Sequence, residues 1–222
     1  MNILSIDFDI IMAPVIEYYN NMVPMKNWDE ICTENPGMLC PKADLFHYNL
    51  ILKLLNKLVN QDTSLYIAFN HKMIVDFIDD NDDIFLINID HHHDLGYAEE
   101  DDTKEGTLKN LNCGNWVKYL FDKSQLREYV WINNRNSLDV TRELIDNQVK
   151  NYNCKKINFE NAEETILKFN YDKIFICLSP EWVPPYYHTL FYGLVDFINE
   201  KTNKHFIIHE DNENEDLICK FM

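Results

Sequence analysis

Glycine is scarce, basic residues are outnumbered, and no long apolar run is present. Five glycines in 222 residues leave no GxGxxG and no GxxxxGK[ST] pattern, so nucleotide binding through either phosphate-cradling loop is excluded. No apolar stretch approaches the roughly 20 residues that span a bilayer. Residues 1–12 are apolar, but Asp7 and Asp9 interrupt them and no basic segment precedes them, so they do not read as a signal peptide. The six cysteines (Cys32, Cys40, Cys113, Cys154, Cys177, Cys219) form no CxxC pair, which argues against a zinc–thiolate site. Scattered free thiols fit a reducing cytoplasm. Lys and Arg number 20 against 37 Asp and Glu, a formal net charge of −17. That balance repels phosphates and argues against nucleic acid or an anionic membrane as partner.

Hydrophobic residues make up 46% and aromatics 13%, enough for a folded chain with a sizeable core. One domain over residues 1–222 is expected. Strands are expected at Ile3–Met12, Leu65–Phe69, Ile84–Ile89, Tyr129–Ile132 and Lys173–Leu178, each short and continuously apolar. Helical patterns cover Ala43–Asn60 (with Leu45, Leu50, Leu54, Leu55 and Leu58 as its apolar side), Lys72–Ile78, Asn115–Phe121, Ala162–Phe169 and His188–Asn199. Pro24–Pro41 reads as irregular, Asp79–Asp83 and Asn133–Ser137 as turns, and Glu99–Glu105 and Asp211–Asp216 as charged loops, the latter before Leu217–Phe221. Buried strands alternating with helices imply an α/β three-layer sandwich around a mostly parallel sheet. Ligands in such folds bind beyond the C-terminal ends of the strands.

The polar clusters sit at those ends. Asp90-His91-His92-His93-Asp94 follows the Ile84–Ile89 strand. In extended backbone Asp90, His92 and Asp94 share one direction, while His91 and His93 take the other. Two carboxylates and an imidazole form a divalent-cation ligand set of the hard or borderline kind, such as Mn²⁺; a solvated polar loop is the plainer alternative. Asp7 and Asp9 interrupt the first apolar strand. A buried carboxylate pair repels itself and requires a compensating cation, whereas Asp9 at a solvated strand end would require none. His71 follows a strand and opens a helix, a place for a cap, a core histidine or a nitrogen ligand. Glu181, in Ser179-Pro180-Glu181-Trp182-Val183-Pro184-Pro185, is either an exposed turn residue or, with Trp182, a rigid wall that pairs with a cationic group such as guanidinium. Cys113-Gly114-Asn115-Trp116 is a substrate loop or a helix start capped by Asn115.

Together these positions resemble the ureohydrolase superfamily (arginase, agmatinase and histone-deacetylase-like proteins), and within it the short bacterial and phage-type branch that includes peptide arginases. Asp90–Asp94 fits its Asp-x-His-x-Asp motif, Asp7-Phe8-Asp9 its Asp-x-Asp motif, and Gly114-Asn115 its Gly-Asn loop. The resemblance implies an arginase/deacetylase-like fold and two Mn²⁺ ions per chain. One ion would take His71, Asp90, Asp94 and Asp7; the other His92, Asp9 and the shared Asp90 and Asp7. It further implies a metal-bridging hydroxide that attacks a guanidino or amide carbon, Glu181 as the group receiving the guanidinium, and a cationic small-molecule or peptide substrate. Asp-x-Asp precedes Asp-x-His-x-Asp here, the reverse of the family order, so a permuted strand order is expected. Trp116 stands where the family carries its proton-shuttling histidine, which leaves His188 as the candidate for that role.

Three other readings compete. Asp90-His91-His92 also resembles the hallmark of Asp-His-His phosphoesterases, although the charge disfavours polyanionic substrates. A haloacid-dehalogenase-type phosphatase would use Asp7 as nucleophile and Asp9 as acid/base, and would leave Asp90–Asp94 without a role. A non-catalytic metal-binding module of the same fold is the third.

Overall fold

The structure, a computed structural model, describes residues 1–12, 42–79, 83–96, 111–134, 137 and 152–210. The irregular stretch 24–41, the charged loops 99–105 and 211–216, the segment 217–221 and parts of the 79–83 and 133–137 turns lie outside the described residues.

Seven strands form one sheet: β1 (Asn2–Asp7), β2 (Ser64–Ala68), β3 (Ile84–Ile89), β4 (Leu126–Asn133), β5 (Cys154–Asn158), β6 (Lys173–Cys177) and β7 (Ile208–His209). Their order is β5-β4-β3-β1-β6-β2-β7, and every pairing is parallel. β1 is central. β3, β4 and β5 extend from one side of it, and β6, β2 and β7 from the other. The chain reverses direction across the sheet at β1, which is where open parallel sheets leave a crevice at their C-terminal ends.

Both faces are covered, as continuously apolar parallel strands require. β3 shows the division: Phe85, Ile87 and Ile89 enter one core, and Ile84 and Leu86 the other. The first core receives α1 (Leu45–Leu58), α3 (Ala162–Ile166) and α4 (His188–Thr202) through Ile51, Leu54, Leu55, Ile166, Phe191, Leu194 and Ile198. The second receives the 3-10 helix His71–Phe77 and α2 (Trp116–Asp122) through Met73, Ile74, Trp116, Val117 and Leu120. Each fully buried aliphatic side chain contributes about 1.5–3 kcal/mol.

Local chemistry sets the ends of these elements. The Asp44 carboxylate accepts the Phe46 N–H at 2.8 Å and starts α1, a cap worth about 1 kcal/mol. Asn203 ends α4 in the left-handed region at φ 53°. The first strand is shorter than expected: β1 stops at Asp7, and Phe8–Ile11 winds into a 3-10 turn because Asp7 Oδ1 accepts the Asp9 N–H at 3.0 Å. Leu45 is exposed, and the buried side of α1 is His47, Ile51, Leu54 and Leu55. β5 carries Lys155 and Lys156 in an edge strand and has no apolar run to announce it; β7 is two residues long. Among the described residues no helix is long and apolar enough to cross a membrane.

Candidate metal centre at the C-terminal ends of the strands

Asp7 closes β1, Asp90 follows β3, and His71 follows β2 after the one-residue-long stretch Phe69 and the cap Asn70, whose side chain accepts the Lys72 N–H. β1, β3 and β6 are adjacent and β2 is next, so their ends converge. All six expected ligands meet there. His71 Nδ1 lies 3.0 Å from Asp7 Oδ2, 3.1 Å from Asp90 Oδ2 and 3.5 Å from Asp94 Oδ2. His92 Nδ1 lies 3.1 Å from Asp9 Oδ2 and 3.4 Å from Asp90 Oδ1. Asp90 therefore turns one oxygen to each imidazole.

These separations fit donors arranged around cations. Ligands held about 2.1 Å from one ion stand roughly 3.0–3.4 Å apart in octahedral or tetrahedral geometry. Asp9 Oδ2 and His71 Nδ1 are buried and make no hydrogen bond of good geometry, although each faces the opposing imidazole or carboxylates at ion-pair distance. A buried polar atom left in that state normally has a further partner, an ion or a water. The donors fall into three ligand groups: His71, Asp90 and Asp94; Asp9, Asp90 and His92; and Asp7, His71 and Cys177. Asp7 thus groups with His71. Its Oδ1 is engaged by the Asp9 N–H rather than shared with the His92 side.

Electrostatics point the same way. Burial, then the charges of Asp7 and Asp90, hold Asp9 well above the usual carboxylate range. Burial and Asp90 raise Asp94. Burial opposes the charged forms of both imidazoles, yet Cys177, Asp7 and Asp90 raise His71, and Asp9 and Asp90 raise His92. Burial would raise Asp90 too, but His71 and His92 outweigh it and lower its pKa. Groups that retain protons in this way mark a pocket with surplus negative charge.

A second layer of donors fixes the ligands. Ser5 Oγ is 2.7 Å from His71 Nε2. Ser179 Oγ donates to Asp7 Oδ2 at 2.6 Å. Trp116 Nε1 donates to Asp94 Oδ2 at 2.6 Å, and its ring centroid is 4.6 Å from that of His71. Asn88 Nδ2 donates to Asp90 Oδ2 at 3.3 Å. Outer partners of this kind orient ligands and tune the ion they hold. Two of them were legible from alternation, since Ser5 and Asn88 each stand two residues before a ligand on the same strand face. Ser179 and Trp116 had no such signal.

The Asp90–Asp94 segment is not a simple extended run, because Asp94 adopts φ 53°. Its carbonyl accepts the Val117 N–H at 3.1 Å, docking it on the start of α2. His91 and His93 turn away from the cluster as expected. His91 Nε2 lies 2.8 Å from the Met12 carbonyl, and burial together with His92 pushes its pKa down to about 4. His93 Nδ1 accepts the Leu95 N–H at 2.9 Å.

Of the expected substrate residues, Glu181 and Trp182 are half-buried in the turn after β6. The Trp182 ring centroid is 4.6 Å from that of His92, whose side chain is 16% exposed and so opens the cluster on that side. Burial, then the Glu181 charge, pushes the Cys113 thiol up to about 12. Asn115 is fully buried, and its Oδ1 accepts the Asn112 N–H at 2.9 Å, bracing the turn before α2. His188 Nε2 is 2.9 Å from the Val183 carbonyl, a brace beneath the Glu181 turn.

The fold and site define an α/β protein with a buried carboxylate–histidine cluster suited to divalent cations. Compared with known proteins, the chain matches no family model, no curated protein and no solved structure.

Proposed function

We propose that this protein is a metal-dependent hydrolase with an arginase-like binuclear centre, acting on a C–N bond of a guanidino or amide group, with peptide arginine among its substrates. The observation that carries the reading is Asp90, whose two oxygens face two different imidazoles, His71 and His92. A carboxylate in that position would serve two cations, and the donor set of carboxylates and imidazoles suits Mn²⁺. Two bound divalent cations supply Lewis acidity and lower the pKa of coordinated water towards neutrality.

The chain's own residues supply the rest. Glu181 receives the substrate cation through charge-assisted hydrogen bonds. Trp182, packed on His92, forms the wall that narrows access. His188 holds the Val183 carbonyl and keeps that wall in place. The arginase/deacetylase-like fold, with its motif order reversed, is part of the same proposal; the central position of β1 is compatible with it. The three described cysteines are free, which supports a reducing compartment such as the cytoplasm.

The test is incubation of the Mn²⁺-loaded protein with guanidino compounds, arginyl peptides and phosphate esters. Urea release supports the proposal. Phosphate-ester cleavage transfers the site to the Asp-His-His phosphoesterase reading. Bound metal with neither activity leaves a metal-binding module.

A further inference from the structure

Cys177 closes β6 beside the cluster and belongs to one of its donor groups, yet the proposed hydrolase assigns it no role. Asp7 and Cys177 are register partners on neighbouring parallel strands, so their side chains leave the same face of the sheet side by side. Cys177 is fully buried. Its Sγ lies within 4.8 Å of a ligand atom on both Asp7 and His71. Ser179 Oγ joins two of these groups, at 2.6 Å from Asp7 Oδ2 and 3.5 Å from Cys177 Sγ. His71 Nδ1 adds a separate observation: it is fully buried, faces carboxylate oxygens of Asp7, Asp90 and Asp94 at 3.0–3.5 Å and makes no well-aligned hydrogen bond to any of them, as expected of a donor aimed at a common cation.

We propose that Cys177 is a thiolate ligand of the cation held by His71, which makes the two halves of the centre chemically unlike. The His71 half offers nitrogen, carboxylate oxygen and sulfur. Among the described residues the His92 half offers nitrogen and carboxylate oxygen. Thiolate selects borderline and soft ions such as Zn²⁺, Co²⁺ or Fe²⁺, whereas carboxylate-rich sets suit Mn²⁺ or Mg²⁺. The centre would therefore prefer a borderline cation beside His71, binding Mn²⁺ there more weakly than a borderline ion but still holding it, and accept a harder one beside His92. On binding, the S–H bond breaks, a sulfur–metal bond forms and the proton passes to solvent, with no change of oxidation state. This inference rests on the reading of the cluster as a metal centre.

The probe is Co²⁺, titrated into the full chain and followed by absorption spectroscopy and equilibrium dialysis. The expected result is visible d–d bands together with a near-ultraviolet sulfur-to-cobalt charge-transfer band. Cys177→Ala abolishes the charge-transfer band and keeps the d–d bands; Cys113→Ser keeps both. If Cys177→Ala fails to fold by circular dichroism, Cys177→Ser is read in the same way. Wild-type d–d bands without charge transfer, or charge transfer that persists in the Cys177 variants, overturn the ligand assignment and leave the metal centre standing. A chain that binds no Co²⁺ at all overturns both.

Discussion

Ser179 and Asp7 stand 172 residues apart in the chain, yet the Ser179 hydroxyl donates to Asp7 Oδ2 over 2.6 Å. The bond ties the turn bearing Glu181 and Trp182 to a prospective cation ligand. Ser179 holds a left-handed backbone at φ 50° to make it, a conformation that is strained for a residue with a Cβ. Its N–H is fixed by the Phe69 carbonyl at 2.9 Å. Loss of the hydroxyl in Ser179→Ala is expected to weaken divalent-cation affinity on the order of 10- to 100-fold, as removal of outer-layer partners does. Ser179→Gly loses the same affinity but relaxes the backbone, so it melts above Ser179→Ala. Chelator competition and thermal melting read the two effects separately.

Trp116 touches two of the proposed ligands at once, by its N–H on Asp94 and its ring beside His71. Trp116→Phe keeps a ring and removes the donor. It is expected to lower cation affinity by roughly the 10- to 100-fold of a lost outer partner. Trp131→Phe, which removes a donor to the Asp90 backbone carbonyl rather than to a carboxylate, serves as the comparison in the same titration and changes affinity less.

If the cluster holds cations as proposed, their removal leaves four buried carboxylates, Asp7, Asp9, Asp90 and Asp94, without that counter-charge. Ligands that bind only the folded state raise its apparent stability. The melting temperature is expected to fall on chelation and to recover on Mn²⁺ addition. In Asp90→Ala, whose shared ligand is gone, added Mn²⁺ produces no comparable rise.

His188 gives a pH dependence away from the cluster. Burial lowers its pKa in the folded chain, against a smaller opposing effect of the Val183 carbonyl. The unfolded chain therefore binds this proton at higher pH than the folded one. Stability from this group is present above about pH 6.5, the ordinary histidine value, and is lost as pH falls through the folded pKa. Replacement by Gln, which retains a donor, is expected to flatten that part of a stability-against-pH profile measured by urea unfolding.

For the proposed hydrolysis, Glu181→Gln removes a charge from the substrate wall without touching a cation ligand. A charge-assisted hydrogen bond contributes about 1.5–3 kcal/mol, so kcat/KM for a guanidino substrate is expected to fall on the order of 10- to 100-fold. Metal content, measured on the same sample, stays unchanged.

Much of the fold was legible because its strands are continuously apolar. Ile84–Ile89 is read to the residue, and the helices of residues 45–58 and 188–202 are near their expected places. β5 was hidden by Lys155 and Lys156, which an edge strand tolerates and a buried one does not. The six clustered Asp and His residues were legible by type and by position at strand ends. The reason given by alternation was only partly right. Asp9 reaches the cluster through a 3-10 turn and Asp94 through a left-handed residue, neither of which the period of a strand describes. Ser179 and Cys177 meet Asp7 only because β6 lies beside β1, a neighbourhood that no local pattern encodes.

The most direct test of the account is the metal content of the purified chain after Mn²⁺ loading and desalting, measured by inductively coupled plasma mass spectrometry on wild type and Asp90→Ala. Two divalent cations per wild-type chain are expected, with occupancy lost at both positions in the variant, because Asp90 faces both imidazoles. No bound cation in the wild type, or a content that Asp90→Ala leaves unchanged, would contradict the account.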